Sequence, residues 1–184
     1  MTLAVRVEPA GARPPVEYRW DVDTDILTAT VRDAQAGRGD SGSVEIVGHD
    51  GSWLVLEVAG GRIAGVEVAV WPTVRTLGTL ALPDGAVDAD VVLGAPGGAS
   101  AADVEVNTRL SAEADRAERT IHFRVGPRRQ TRAVRIASDV LLDVDARARI
   151  AGIWLLNVPP RPGGAADADP RGSVESSLPE RFTQ

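Results

Sequence analysis

The chain has 184 residues, a formal net charge of −6 and a pI of about 5.0. All 20 of its basic residues are arginine, and it contains no cysteine. These features argue against a nucleic-acid binder, which needs a basic surface, and they exclude disulfides and thiolate metal sites.

The first part of the chain has the alternation of apolar and polar residues that is typical of β-strands. Gly60 and Gly61 separate two such runs and predict a tight hairpin, because glycine tolerates a positive φ. We assign residues 1–72 to a first β unit. Its predicted strands span residues 26–31, 44–47, 53–58 and 62–70.

The rest of the chain divides into a linker, a second β unit and a tail. Residues 73–102 form the linker, with possible extra strands at 74–82 and 90–93 and a Gly-rich end. The second unit covers residues 103–160, with strands at 104–110, 119–125, 131–137, 140–144 and 150–158. Between the first two, residues 111–118 fit either one or two helical turns or an exposed connection. Residues 161–184 are rich in Pro and Gly and predict an extended tail.

An internal repeat links the two units. The segment Arg62–Pro72 recurs at Arg149–Pro159, with the Arg, Ile, Ala, Gly and Pro positions identical. Leu54–Val58 is matched in the same way by Val140–Val144. The repeat is longer than the ~20–50 residues of a solenoid unit and indicates a duplicated domain. We therefore predict an all-β protein of two homologous small β-sandwich or half-barrel units with an extended C-terminal tail.

The turns and strands of the repeat carry a resemblance. Tyr18–Leu27, Asp139–Asp145 and Ile150–Ile153 resemble a small uncharacterised bacterial β-rich domain family. Its members run Tyr-Asp-x-x-x-Asp, a strand, a Leu-Asp-x-Asp turn and an Ile-x-Gly-Ile-Glu strand. The last Glu corresponds to Glu67 in the first copy and to Trp154 in the second. The resemblance implies a compact β fold and supplies no catalytic residue.

Patterns for metal binding and catalysis are incomplete in this chain. Asp21, Asp23 and Asp25 have the opening spacing of a calcium loop, but Ile26 and Arg32 replace its essential Gly and Glu. An acidic turn with Asp side chains bonded to backbone amides is the alternative that we favour.

The nucleophile and phosphate-loop motifs are also missing. There is no Gly-x-Ser-x-Gly, no lysine for a phosphate loop and no histidine pair at zinc spacing, since His49 and His122 lie in different units. We predict that the protein is not an enzyme and has no cofactor or metal.

Partner contacts are expected from exposed tryptophan, arginine and the tail. Because Trp154 replaces Glu67, one of the two is expected to face solvent or a partner, with core packing as the alternative. The arginines at 128–132 form a basic cluster in an acidic chain, either solvated or facing acidic groups or lipid phosphates. The predicted partner-binding residues are Trp154, Arg128, Arg129, Arg132, Arg161, Pro162, Leu178, Arg181 and Phe182.

These features favour a non-catalytic structural or accessory subunit that binds a larger protein assembly through sheet surfaces and extended ends. Its partners would be protein subunits, without nucleic acid. No apolar run approaches the ~20 residues of a membrane span, and the first residues lack the pattern of a signal peptide. We expect a cytoplasmic protein, peripheral to a membrane through partners.

The chain resembles accessory subunits on the cytoplasmic face of bacterial membrane complexes, such as photosynthetic reaction-centre–antenna assemblies. The alternative function is a small-ligand or regulatory binding module with a pocket between the two units.

Overall fold

The structure, a computed structural model, describes residues 3–9, 13–32, 41–93 and 104–162. Within these ranges the regular structure consists of strands, without helix, and the strands form a curled half-barrel sheet, which confirms the all-β prediction. The strands are β1 (Val5–Pro9), β2 (Val16–Asp21), β3 (Ile26–Val31), β4 (Gly42–Gly48), β5 (Trp53–Ala59), β6 (Arg62–Val70), β7 (Val74–Leu77), β8 (Val87–Leu93), β9 (Val104–Thr108), β10 (Leu110–Asp115), β11 (Ile121–Val125), β12 (Thr131–Ala137), β13 (Val140–Asp145) and β14 (Ile150–Leu155).

Two five-stranded antiparallel blocks have the same strand order. The first block runs β2-β3-β6-β5-β4, and the second runs β10-β11-β14-β13-β12. Their pairing registers also agree. Glu57 lies opposite Gly65 in the first block and Asp143 lies opposite Gly152 in the second, and a β-bulge follows immediately in both.

The remaining strands join each block to the other half of the chain. β9 precedes the second block but pairs in parallel with β4 of the first. β8 pairs with β1, runs parallel to β12 and touches β6 at one position. β7 runs parallel to β10. Strands that cross between the blocks therefore join them into one sheet.

One hydrophobic core contains residues of both blocks. Leu27 and Leu56 of the first block and Phe123 and Ile153 of the second belong to it, and all four side chains are fully buried. Trp71 packs between Trp20 and Phe123, with ring centroids 5.7 and 5.8 Å apart. The structure does not separate the halves into two units, so a duplication stays a prediction.

The segment at 111–118 differs from the predicted helical turn or connection. Its first part belongs to β10, which pairs with β7 and β11. Ala112 and Ala114 face the core, while Ser111 and Glu113 are half-buried on the other face. The buried residues of β10 lie at every second position, as a strand requires. Because two of them are alanine, whose side chain is small, the alternation of apolar and polar residues is weak in the sequence.

The first block binds the chain that follows β14. The Tyr18 hydroxyl donates to the Leu156 carbonyl at 2.8 Å, and Trp20 Nε1 donates to the Pro159 carbonyl at 3.0 Å. Arg161 forms an ion pair with Asp25 at 2.9 Å. Of the predicted tail the structure describes Arg161 and Pro162, which are both exposed, and Arg161 is linked to the first block by this ion pair. The predicted contact residues Leu178, Arg181 and Phe182 lie outside the described residues.

Candidate functional site

Three polar side chains from adjacent strands of the second block form a buried cluster. His122 Nε2 lies 2.8 Å from Asp143 Oδ2, and Trp154 Nε1 donates to Asp143 Oδ1 at 3.1 Å. The His122 and Trp154 rings stack with centroids 4.0 Å apart and planes within 12°. All three residues are buried. Both oxygens of the Asp143 carboxyl group therefore have a hydrogen-bond partner, as buried polar atoms require.

Gly152 makes room for this cluster. A Cβ atom at this position would lie 2.6 Å from both Asp143 Oδ2 and His122 Nε2 and 3.0 Å from the Phe123 carbonyl oxygen. Such distances are too short for non-bonded atoms, so any side chain here would separate the pair or displace strand β14. The glycine of the repeated Arg-Ile-Ala-Gly motif is thus required by the cross-strand packing.

Of the pair Glu67 and Trp154, Glu67 is the one that is partly exposed, whereas Trp154 is 6% exposed. For Trp154 the structure therefore has the alternative, core packing. The reason lies in the connection between β7 and β8, which covers the outer face of the second block. Leu80 and Ala86 of this connection pack on an apolar cluster formed by Ala133, Leu141, Trp154 and Leu156.

A small pocket of about 250 Å³ opens beside the polar cluster. Three guanidinium groups, one hydroxyl and the His122–Asp143 pair line it. Arg124 and Arg128 lie 3.4 and 3.8 Å from the Glu113 carboxylate, longer than a tight charged hydrogen bond. The lining residues are His122, Arg124, Pro127, Arg128, Arg129, Thr131, Asp143 and Ala151.

A larger cleft of about 580 Å³ lies on the other side of Pro127 and Arg129, which line both cavities. Leu3, Val106 and Thr108 line one side, and the rest comes from the second block and its turns. The cleft is open to solvent, with apolar residues between charged ones. The other lining residues are Val125, Gly126, Pro127, Arg129, Gln130, Asp145, Ala146, Arg147, Arg149 and Ile150.

Asp145 organises the arginines of the cleft. Its Oδ2 accepts from Arg149 Nε at 2.8 Å and lies 3.0 Å from Arg129 Nε. Its Oδ1 accepts the backbone N–H groups of Arg147 and Arg149 at 2.9 and 3.0 Å. Burial raises the pKa of Asp145, but these hydrogen bonds outweigh burial and hold the pKa below its usual value. The carboxylate is therefore charged at neutral pH and fixes the turn.

The predicted arginines have separate environments. Arg129 is held by Asp145 and by the Ile150 carbonyl, to which Nη2 donates at 2.7 Å. Arg128 is exposed at the rim of the small pocket. Arg132 is exposed and lines neither cavity, while Arg161 lies on the first block and Pro162 is exposed. The structure thus brings together Arg128 and Arg129 from the predicted set.

Sequence reasoning missed the residues that complete both cavities: His122, Arg124, Asp143, Asp145, Arg147 and Arg149. A signal was present for two of them. His122 and Asp143 are polar residues within apolar strand runs, Ile121–Val125 and Val140–Val144. A polar residue on a covered strand face needs a partner, and the strand pairing that supplies it is not readable from one run alone.

The acidic turn at residues 21–25 has the structure of the favoured alternative. Asp21 Oδ1 accepts the backbone N–H groups of Asp23 and Thr24, which lowers the pKa of Asp21. Across the ranges that the structure describes, no group of three or more His, Asp and Glu residues is placed to hold a metal ion.

No protein-family model and no curated protein matches this chain. The resemblance to a small bacterial β-rich family therefore stays a prediction, as do the reaction-centre–antenna assembly and the cytoplasmic location. No helix in the described part of the chain is long and apolar enough to cross a membrane.

Proposed function

We propose that this protein is a non-catalytic accessory subunit whose arginine-lined cleft binds an acidic segment of a partner protein. The charge balance of the cleft is the observation that carries the proposal. Arg129, Arg147 and Arg149 contribute three guanidinium groups, against the single carboxylate of Asp145. This excess of positive charge lies in a chain of net charge −6. A local potential of opposite sign selects and steers an acidic partner.

The geometry of the cleft favours an extended segment over a compact ligand. The cleft is open, and apolar residues, including Leu3, Val106 and Ile150, line it together with arginines. Small-molecule pockets are mostly apolar and enclose most of the ligand. An acidic peptide with apolar side chains can place its carboxylates on the guanidinium groups and its apolar groups between them.

Arg147 is the exposed arginine of the cleft. Its backbone N–H bonds Asp145, but its side chain makes no ion pair with any described residue. The guanidinium donors are therefore available for a partner, and arginine pairs with carboxylates in a two-pronged geometry.

A non-catalytic role fits the polar cluster. Both oxygens of Asp143 already accept hydrogen bonds, and Thr131 has the one hydroxyl among the described residues lining the small pocket. A hydrolase of the Ser-His-Asp type needs an activated nucleophile within hydrogen-bond reach of the histidine.

The second candidate is the small-ligand binding module, and the position of the cleft favours it. Leu3 and Val106 come from outside the second block, and β9, which contains Val106, pairs with the first block. The cleft therefore lies where the halves meet, and its volume is within the range of ligand pockets.

Charge reversal at the cleft tests the proposal. Tagged wild-type protein, Arg147→Glu and Arg19→Glu would be purified from the native host and their partners compared by quantitative mass spectrometry. Arg19 is exposed on β2, away from the cleft, and serves as the matched control. We expect a partner with an acidic segment to be retained by wild type and R19E and reduced about tenfold by R147E. Partners retained equally by both variants would contradict the proposal.

A further inference from the structure

We propose that the small pocket beside His122 is a binding site for a phosphate-type oxyanion. This inference goes beyond the acidic-segment cleft and rests on different residues apart from Arg129, which lines both cavities. The pocket of about 250 Å³ has room for a phosphate group with part of what it is attached to.

His122 presents a fixed ring to this pocket. Its Nε2 is engaged by Asp143, and stacking on Trp154 holds the plane of the ring. Nδ1 has no hydrogen-bond partner among the described residues, and His122 lines the pocket. A hydrogen phosphate has both a hydroxyl donor and oxygen acceptors, so it can bond Nδ1 whether or not that nitrogen carries a proton. A carboxylate could bond only the protonated form.

The guanidinium groups of the pocket have unused donors. Each guanidinium has five N–H donors, and Arg124 reaches only the Glu113 carboxylate, at 3.4 Å. Arg128 has one ion-pair contact, also to Glu113 at 3.8 Å. Thr131 adds a hydroxyl group to the lining of the pocket. Several guanidinium donors and a hydroxyl are what proteins use to hold a phosphate.

Two carboxylates face the same groups, and neither cancels the positive charge. Asp143 accepts from Trp154 and is hydrogen-bonded to His122. Glu113 is shared by Arg75, Arg124 and Arg128 at 3.4–3.8 Å, so its one charge is divided among three guanidinium groups. Arg129 also lines the pocket and is paired with a third carboxylate, Asp145. The arginines in these contacts still outnumber the acidic groups, with Arg75, Arg124, Arg128 and Arg129 against Glu113, Asp143 and Asp145.

The first block lacks this site at the equivalent positions. Thr28 pairs with Glu67 where His122 pairs with Trp154, and Thr30 lies opposite Gly65 where Arg124 lies opposite Gly152. The histidine, the arginine and the indole are therefore confined to the second block. Because the first block has the same strand order without these three residues, the strand order does not depend on them.

The two histidines of the chain provide the test. Inorganic phosphate would be titrated into the full-length protein at constant ionic strength with chloride, while the imidazole resonances are followed by NMR. His49 is exposed in the β4–β5 turn and is the internal reference, and a His49→Gln variant gives the assignment. We expect saturable shifts of His122 with an apparent Kd on the order of 1 mM, and small, non-saturating shifts of His49. Shifts of His122 that do not exceed those of His49 would overturn the proposal.

Matched variants locate the phosphate. Arg124→Gln is expected to weaken the apparent affinity about tenfold, whereas Arg19→Gln leaves it unchanged. Thr131→Val is a second variant that keeps the arginines in place and is expected to weaken binding. Wild-type affinity in both R124Q and T131V would place the anion elsewhere and overturn the assignment. Because Arg147 does not line this pocket, failure here leaves the acidic-segment proposal unaffected.

Discussion

In both blocks an acidic residue lies opposite a glycine, and a Cβ atom added to that glycine would meet the acidic side chain. In the first block the acid is Glu57, whose flexible and exposed side chain can move away from a new methyl group. In the second block the acid is Asp143, which is buried and held by two donors. Gly65 therefore tolerates an added Cβ atom, whereas Gly152 does not.

Gly152→Ala is therefore expected to destabilise the protein by about 2 kcal/mol or more, because its methyl group overlaps buried atoms. Gly65→Ala is the matched control, since a Cβ there meets the far end of Glu57 at 2.7 Å. Urea unfolding of both variants checks the difference. Equal effects of the two substitutions would contradict the packing described for Gly152.

The Trp154 indole is held by a hydrogen bond from its N–H group to Asp143 as well as by apolar packing. Trp154→Phe keeps an aromatic ring but removes the donor to Asp143 Oδ1, which leaves a buried carboxylate oxygen without its partner. We expect a loss of about 1–3 kcal/mol in the free energy of unfolding. Trp53→Phe is the control, because Trp53 is 37% exposed and is expected to change stability by less than about 0.5 kcal/mol.

The turn between β13 and β14 depends on one carboxylate. The pKa of Asp145 is lower in the folded chain than in the unfolded chain, so the unfolded state binds more protons as pH falls. The stabilisation by Asp145 is therefore present above its unfolded pKa and is lost as pH falls through the folded value. We expect Asp145→Asn to be less stable than wild type at pH 7 and the difference to narrow below about pH 4.

Urea unfolding of wild type and D145N between pH 7 and about pH 4 measures how far the difference in their free energies of unfolding decreases. A constant difference between the two proteins at all pH values would show that the charge of Asp145 contributes nothing.

The strands were predictable where large apolar residues alternate with polar ones. β5 follows this pattern, with Leu54, Leu56 and Val58 buried at every second position. β10 was missed because alanine supplies its buried face. The covered outer face of β14 was missed because it depends on Leu80 and Ala86, which come from a distant connection.

At the scale of the molecule, pairing between the halves was beyond the sequence pattern. β8 and β9 pair in parallel with strands of opposite blocks, and parallel pairing is set by packing over long sequence distances. The larger cleft depends on that pairing, because Val106 and Thr108 of β9 line it beside residues of the second block, whereas the small pocket is lined by strands and turns of the second block alone. The arginine cluster at residues 128–132 correctly indicated the part of the chain that lines the cavities, but it did not predict the cavities themselves.

One shared core predicts one cooperative unfolding transition for the whole chain. Trp71 contacts Trp20 on the first block and Phe123 on the second, so tryptophan fluorescence reports both halves together. Fluorescence and far-UV circular dichroism are expected to give coincident urea transitions. Two separated transitions would show instead that the halves are independent units.

The central claim is that the cleft at Arg129, Arg147 and Arg149 receives an acidic segment of a partner protein. A photo-crosslinking amino acid at Gln130, an exposed residue of the cleft, tests it most directly in the native host, with the same group at Arg19 as the reference. We predict crosslinks from position 130 to an acidic stretch of one protein, and none to that protein from position 19. Crosslinks from position 19 alone, or none to protein from position 130, would contradict the account.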